Sequence, residues 1–393
     1  MAGEPVRALL LFAVIDGNGG IQRFNRMLIA AVEKLDVRCD VFSLYGTAHP
    51  VSPCAAKSDV KIRVFNGSKI RYALAVARVI CFGHYRHVVV GHINLLVMLA
   101  AALTLRPLGA PRTWLVAHGV EVWSGIGTLR RIAIRRLWGI LSVSRYTQQR
   151  IHEQVPQLLP ERLVLFPLAV SESWTAASAR CDGFEVSSGL PGGFLLSVTR
   201  LDSCERDKGI LTVLEALGRI EDRGMQYLIV GGGDDQVFLQ DAARRFGVTD
   251  RVRFLGAVVD RDLAELYRRC VAFILPSGKE GFGLVFLEAM LFGAAVIAAR
   301  EKGALDVVRD EETGLLVDFG DVIGVIRAIN RMTADVDLRE RLRTRARKMV
   351  VGDGVFTFGA FVSRLAAVLD APIRAGITVN GGSGAGHADS NTG

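Results

Sequence analysis

A chain of 393 residues, 50% of them hydrophobic, carries apolar material for two ordinary cores. Six scattered cysteines (39, 54, 81, 181, 204 and 270) with no C-x-x-C pair exclude a disulfide framework and a zinc module, and fit reduced thiols in a cytoplasmic protein. The longest apolar stretch, 95–105, is far below the roughly 20 residues a spanning helix needs, and 8–15 is too short and too soon followed by a turn for a signal peptide.

Taken in chain order, short apolar runs alternate with helical patterns. Strands are expected near 7–15, 38–44, 87–91, 113–117, 140–143 and 163–168, with helices near 21–35, 69–81, 95–105 and 146–153. Residues 171–192 turn small and polar and read as a linker. A second series follows, with strands near 194–198, 226–230, 252–255, 272–275, 295–298 and 314–317. Helices over 321–332 and 337–350 close it, and a last amphipathic helix spans about 356–369. The tail from 374 to 393 is rich in Gly, Ser, Asn and Thr and is expected to be disordered. Two α/β series imply two doubly wound, Rossmann-like domains, 1–170 and 193–353, with a cleft between their carboxyl edges.

Charge is unevenly distributed over this plan. Residues 1–170 hold 21 Lys/Arg against 9 Asp/Glu, a balance of +12, and the remainder holds 27 against 31, or −4. Four arginines in 129–138 mix with Ile, Leu and Trp at helical spacing. Such a segment suits either an anionic membrane surface or a solvated helix packed on its own domain. No nucleic-acid motif accompanies the charge.

The most informative segment is Ser277-Gly-Lys-Glu-Gly-Phe-Gly-Leu-Val-Phe-Leu-Glu288. An apolar run before it reads as a buried strand, and good helix formers continue to Gly293. Glu280 then lies in a loop at a strand's carboxyl end, and Glu288 lies inside an apolar helix, where an acid is rarely left without a partner. Gly281 and Gly283 allow backbone amides to approach a ligand.

This segment resembles the E-x7-E signature of retaining glycosyltransferases of family 4, which adopt the GT-B fold. The resemblance implies that Glu288 holds a nucleotide ribose and that Glu280 lies beside a donor sugar, with Gly281, Phe282, Gly283 and Leu284 lining the donor site. Asp16-Gly-Asn-Gly-Gly20 and Arg23 resemble the family's first glycine loop, so Gly19 and Gly20 are expected at the donor and Arg23 near donor or acceptor. Arg200 and Lys208, in Arg-Leu-Asp-Ser-Cys-Glu-Arg-Asp-Lys-Gly209, resemble the Arg…Lys-Gly pair that holds a diphosphate. His118 in Ala117-His-Gly-Val-Glu121 resembles the family's His-Gly motif beside the reacting carbon, and Glu121 is an orienting candidate. Ser144 resembles a Ser-x-Ser segment, although an N-cap role alone would explain it. Gly231 and Gly232 resemble the loop near the base. Lys302-Gly-Ala-Leu-Asp306 matches the family's glycine-rich element only in part, with Asp306 where Glu is usual. Asp335-Val-Asp337 has a metal-binding spacing but suits a helix start.

The reading these residues imply is a metal-independent retaining glycosyltransferase without cofactor. Its donor is a nucleotide-diphospho-sugar, GDP-mannose being the best guess, and its acceptor a lipid-linked, polyprenyl-diphosphate glycan of bacterial exopolysaccharide or lipopolysaccharide synthesis. The expected location is cytoplasmic, peripheral at an anionic inner-membrane surface, with no nucleic-acid partner. The final helix, 354–373, is expected to return to the first domain. A sugar-nucleotide 2-epimerase, a phosphorylase with lysine-bound pyridoxal phosphate and a non-catalytic nucleotide-sugar scaffold are the rival readings.

Overall fold

The computed structural model describes residues 6–17, 19–47, 60–104, 111–179 and 191–373. The first domain runs β1 (Val6–Val14), α1 (Gly20–Glu33), β2 (Val37–Tyr45), β3 (Val60–Val64), α2 (Lys69–Phe82), β4 (His87–Val90), α3 (Ile93–Thr104), β5 (Arg112–Ala117), α4 (Val120–Trp123), α5 (Thr128–Arg135), β6 (Gly139–Ser142), α6 (Arg145–Gln154) and β7 (Leu163–Leu165). After α7 (Glu172–Ala179), the second runs β8 (Phe194–Val198), α8 (Ile210–Arg219), β9 (Gln226–Val230), α9 (Gln236–Arg245), β10 (Val252–Gly256), α10 (Asp260–Arg269), β11 (Ala272–Leu275), α11 (Leu284–Leu291), β12 (Val296–Ala299) and β13 (Leu315–Val317). Helices α12 (Val322–Ala334), α13 (Val336–Val351) and α14 (Phe358–Leu369) complete the chain.

Both sheets are parallel, in the orders β3-β2-β1-β4-β5-β6-β7 and β10-β9-β8-β11-β12-β13. Their central strands are continuous apolar runs because helices cover both faces: Leu9, Leu10 and Leu11 of β1, and Phe273, Ile274 and Leu275 of β11, are all buried. Strand order reverses at β1/β4 and again at β8/β11. The loops leaving the carboxyl ends of these strands diverge there and leave a crevice. The two doubly wound sheets are those expected from the sequence.

Helix α14 crosses back onto the first domain. Phe361 packs edge-on against Phe24 of α1 and Phe166, with ring centroids 5.7 and 4.9 Å apart. Beyond it, Asp36 N–H donates to the Pro372 carbonyl at 3.0 Å, and Asp370 pairs with Arg86 at 3.1 Å and with Arg112. Where the chain passes between domains, Val170 N–H donates to the Phe356 carbonyl at 2.9 Å.

Four local expectations change. The stretch read as linker contains α7, anchored by Trp174 against Tyr267 and Phe292; residues 180–190 lie outside the described residues, as do Cys54, Cys181 and the tail 374–393. Strand β3 was not anticipated, and the strand expected over 163–168 stops at Leu165, before Pro167. Trp138 lies beyond α5, under the Arg112 guanidinium at 4.5 Å.

Candidate active site

The loops after β1, β5, β8 and β11 enclose a cavity of about 550 Å³ between the domains. The first domain contributes Gly19, Gly20, Arg23, His118 and Glu121 to its lining. The second contributes Arg200, Lys208, Glu280, Gly281, Phe282, Gly283, Leu284 and Glu288.

Arg200 follows β8 directly. A short 3-10 turn, Ser203–Lys208, then brings Lys208 to the same edge before Gly209, left-handed at φ 76°, opens α8. Lys208 Nζ donates to Glu280 Oε1 at 2.7 Å, joining the loop after β8 to the loop after β11. Burial works against the ammonium charge, but Glu280 more than offsets it and holds the Lys208 pKa above its ordinary value. Arg200 is exposed and pairs with Glu205, and with Asp202 at 3.3 Å. Arg200 therefore sits on acids of its own loop, and Lys208 on the acid of the neighbouring one.

Glu288 projects from α11 between buried Leu287 and Ala289. Its partner is Arg23 of α1, across the cleft. Arg23 also reaches Asp260 at 3.5 Å and lies over the Trp174 ring at 5.3 Å. Burial pushes the Glu288 carboxyl above the usual range, and the Arg23 charge pulls it back. A second cavity of about 360 Å³ lies on the other side of this pair, and Arg23, Leu284 and Glu288 line both.

His118 Nε2 lies 2.9 Å from the Gly91 carbonyl, and its ring meets Phe24 edge-on. Burial lowers its pKa, so the imidazole is neutral at pH 7 and donates that hydrogen bond. Glu121 accepts the His118 backbone N–H at 2.6 Å. It orients the histidine's own loop, not an arginine.

The two domains meet backbone to backbone here. A Cβ on Gly281 would fall inside the van der Waals surface of the His118 carbonyl oxygen, and one on Gly303 would strike the Gly281 carbonyl. Gly303 N–H donates to the Glu280 carbonyl at 3.1 Å. Beside this contact, Asp306 accepts the Arg145 backbone N–H at 2.9 Å, and Lys302 lies over Trp123 at 5.8 Å. Asp306, at the position that departs from the family pattern, thus bonds the opposite domain.

Three candidates are not in the cavity. Ser144 is buried and caps α6, accepting from Thr147 N–H at 3.2 Å. Gly231 N–H donates to the Gly256 carbonyl at 2.8 Å and Gly232 accepts from Leu201 N–H at 3.0 Å. These glycines tie strand ends together. Asp335 likewise caps α13 through Leu338 N–H at 2.8 Å. Among the described residues, no three His, Cys, Asp or Glu are grouped to hold a metal ion, and no helix is long and apolar enough to cross a membrane. Sequence reasoning missed Asp260, Trp174 and Arg145, whose partners lie on distant elements.

The architecture is that of GT-B glycosyltransferase structures. Sucrose-phosphate synthase from Thermosynechococcus elongatus superposes with a TM-score of 0.73 over 93% of this chain and 98% of its own, at 21% identity. Anabaena Alr3699/HepE in complex with UDP superposes with 0.72 over 93% and 100%, at 19% identity. Residues 191–349 match the family model described as "Glycosyl transferases group 1". The lipopolysaccharide core biosynthesis glycosyltransferase LpsE of Rhizobium meliloti (strain 1021) is 36% identical over 145 residues, which are 37% of this chain and 42% of LpsE. A D-inositol 3-phosphate glycosyltransferase of Salinispora arenicola (strain CNS-205) is 41% identical over 117 residues, 30% of this chain and 26% of the relative. The chain spans less than half the length of these curated relatives.

Proposed function

We propose that this protein transfers a hexosyl group from a nucleotide-diphospho-sugar to a hydroxyl acceptor, with retention at the anomeric carbon and without a metal ion. One observation carries the reading: two cations, Arg200 and Lys208, and two acids, Glu280 and Glu288, converge with close-packed backbone on one interdomain cavity. The likeness to LpsE, a lipopolysaccharide core biosynthesis glycosyltransferase, and to HepE in complex with UDP supports it.

In this reading the donor diphosphate takes over Arg200 and Lys208 from their carboxylate partners. Fixed cations then stabilise the negative charge that gathers as the C1–O bond to phosphate breaks. The acceptor oxygen bonds to C1 on the same face, its proton passes to a donor phosphate oxygen, and a nucleoside diphosphate leaves. Glu288 holds the ribose hydroxyls, and Glu280 and neutral His118 position the sugar.

GDP-mannose as donor, and a polyprenyl-diphosphate-linked glycan as acceptor in bacterial polysaccharide synthesis, are the finer parts of the proposal. The basic first domain suits an acceptor anchored at the inner face of the plasma membrane. Thermal stabilisation by GDP-, UDP- and ADP-sugars, followed by product analysis with and without EDTA, tests all of it. Stabilisation by a GDP-sugar and EDTA-insensitive transfer with retained anomeric configuration are expected. Epimerised nucleotide-sugar as sole product, or activity abolished by EDTA, would overturn the reading.

A further inference from the structure

Helices α2, α3 and α5 lie side by side on one face of the first sheet, over a core that includes Tyr72, Val76, Leu96, Leu99, Ala133 and Ile134. Their outward side is unusual in two independent ways. Along α2, Ile70, Leu74 and Phe82 fall on one stripe at multiples of four residues and are 75%, 66% and 80% exposed. Leu129 of α5 is 69% exposed, and Ile132 and Val97 are exposed as well. Single exposed apolar residues are ordinary, but an ordered stripe of large ones marks an interaction face.

The charges on this layer are all of one sign. Lys69, Arg71 and Arg78 of α2, with Arg130, Arg131, Arg135 and Arg136 at α5, accompany no carboxylate on α2, α3 or α5. Among the described residues none of the seven forms an ion pair; Arg130, Arg131 and Arg135 bond only neutral oxygens, those of Asn94, Ile126 and Gln157. Helices elsewhere pair their arginines internally, as Arg268 with Glu265 and Arg343 with Glu340. An apolar stripe flanked by uncompensated cations complements one surface chemistry, an anionic bilayer interface.

We propose that the outer face of α2, α3 and α5 docks on an anionic lipid surface, with Ile70, Leu74 and Phe82 entering the interface and the arginines of α5 meeting the headgroups. The inference rests on the lipid-linked-acceptor reading for its purpose, while the surface chemistry stands apart from it. The helices run antiparallel to the strands, so Ile70 and Leu129, at the starts of α2 and α5, lie at the carboxyl edge of the sheet. A docked protein would face the bilayer next to the loop that carries His118.

The test is sedimentation of the full chain with phosphatidylglycerol–phosphatidylcholine vesicles and with phosphatidylcholine alone, at low and high salt. Binding to the anionic vesicles only, weakened by salt, is expected. Ile70→Ser/Leu74→Ser/Phe82→Ser should weaken it at least about tenfold. Replacing the four arginines of 130–136 with Gln should weaken it about 100-fold or more at low salt. Unchanged thermal unfolding and nucleotide-induced stabilisation establish that both variants fold and keep the donor site, which separates failure here from failure of the transferase reading. Absence of binding to anionic vesicles, or equal binding by wild type and both folded variants, would overturn the proposal. So would a wild-type dimer dispersed by the α2 substitutions.

Discussion

Arg23 and Glu288, 265 residues apart in sequence, share a charge-assisted hydrogen bond across the cleft. Each domain thus places one charge in the other's wall. The pair separates the two cavities, and it engages the acid that the proposed chemistry assigns to the donor ribose. Donor entry on that reading exchanges one partner of Glu288 for another. Removing Arg23 leaves the buried Glu288 carboxylate without its counter-ion, which costs about 3 kcal/mol, whereas removing Glu288 leaves Arg23 only Asp260 at 3.5 Å. In a double-mutant cycle of Arg23→Met and Glu288→Met, the double variant should lose less stability than the sum of the singles by more than about 1 kcal/mol. Simple additivity in urea unfolding would show that the two side chains do not act together.

Lys208 is the cation held deepest in the cavity, by Glu280 at 2.7 Å. Lys208→Ala should reduce kcat at least about 100-fold, the scale of losing one electrostatic stabiliser of developing charge. Near-normal turnover in a folded variant would remove the lysine from the proposed mechanism.

Gly281 touches the His118 carbonyl, and Gly303 touches the Gly281 carbonyl. A methyl group at either position forces the backbones apart. Gly281→Ala should therefore open the cleft, seen as a larger radius of gyration in solution scattering, with kcat falling more than donor affinity. Scattering identical to wild type would mean that closure does not depend on this contact.

His87, the first residue of β4, is fully buried, and neither ring nitrogen has a hydrogen-bond partner within the protein. Burial lowers its pKa to about 4 against 6.5 for the free side chain. Between those values the unfolded chain binds a proton that the folded chain does not. Stability is therefore full above about pH 6.5 and is lost as pH falls towards 4. The shift corresponds to about 3 kcal/mol. The stability difference between wild type and His87→Leu should change by about that amount over this window, with other titrations cancelling. A pH-independent difference would place the imidazole in water.

The alternating α/β plan was legible because buried parallel strands are unbroken apolar runs, as in β1, β4 and β11. Strand β3 was not, since its Val-Lys-Ile-Arg-Val sequence is that of a half-covered edge. Helix α7 hid in a polar stretch because a single large residue, Trp174, fixes it. Glu280, Lys208 and His118, singled out from loop motifs, line one cavity. Ser144, Gly231 and Gly232 lie outside that lining, in a helix cap and at strand ends, which favour the same small residue types as ligand loops. The pairs Arg23–Glu288 and Arg145–Asp306 were illegible, since the sequence gives no distance between residues on different domains.

The chain passes between its halves twice, and the passages at Val170 and Phe356 are bonded to each other. Two adjoining pins admit a swing about the line joining them but resist sliding and twisting. Whatever enters the crevice meets two walls that part like a book on its spine, so the same residues face one another again at every closing.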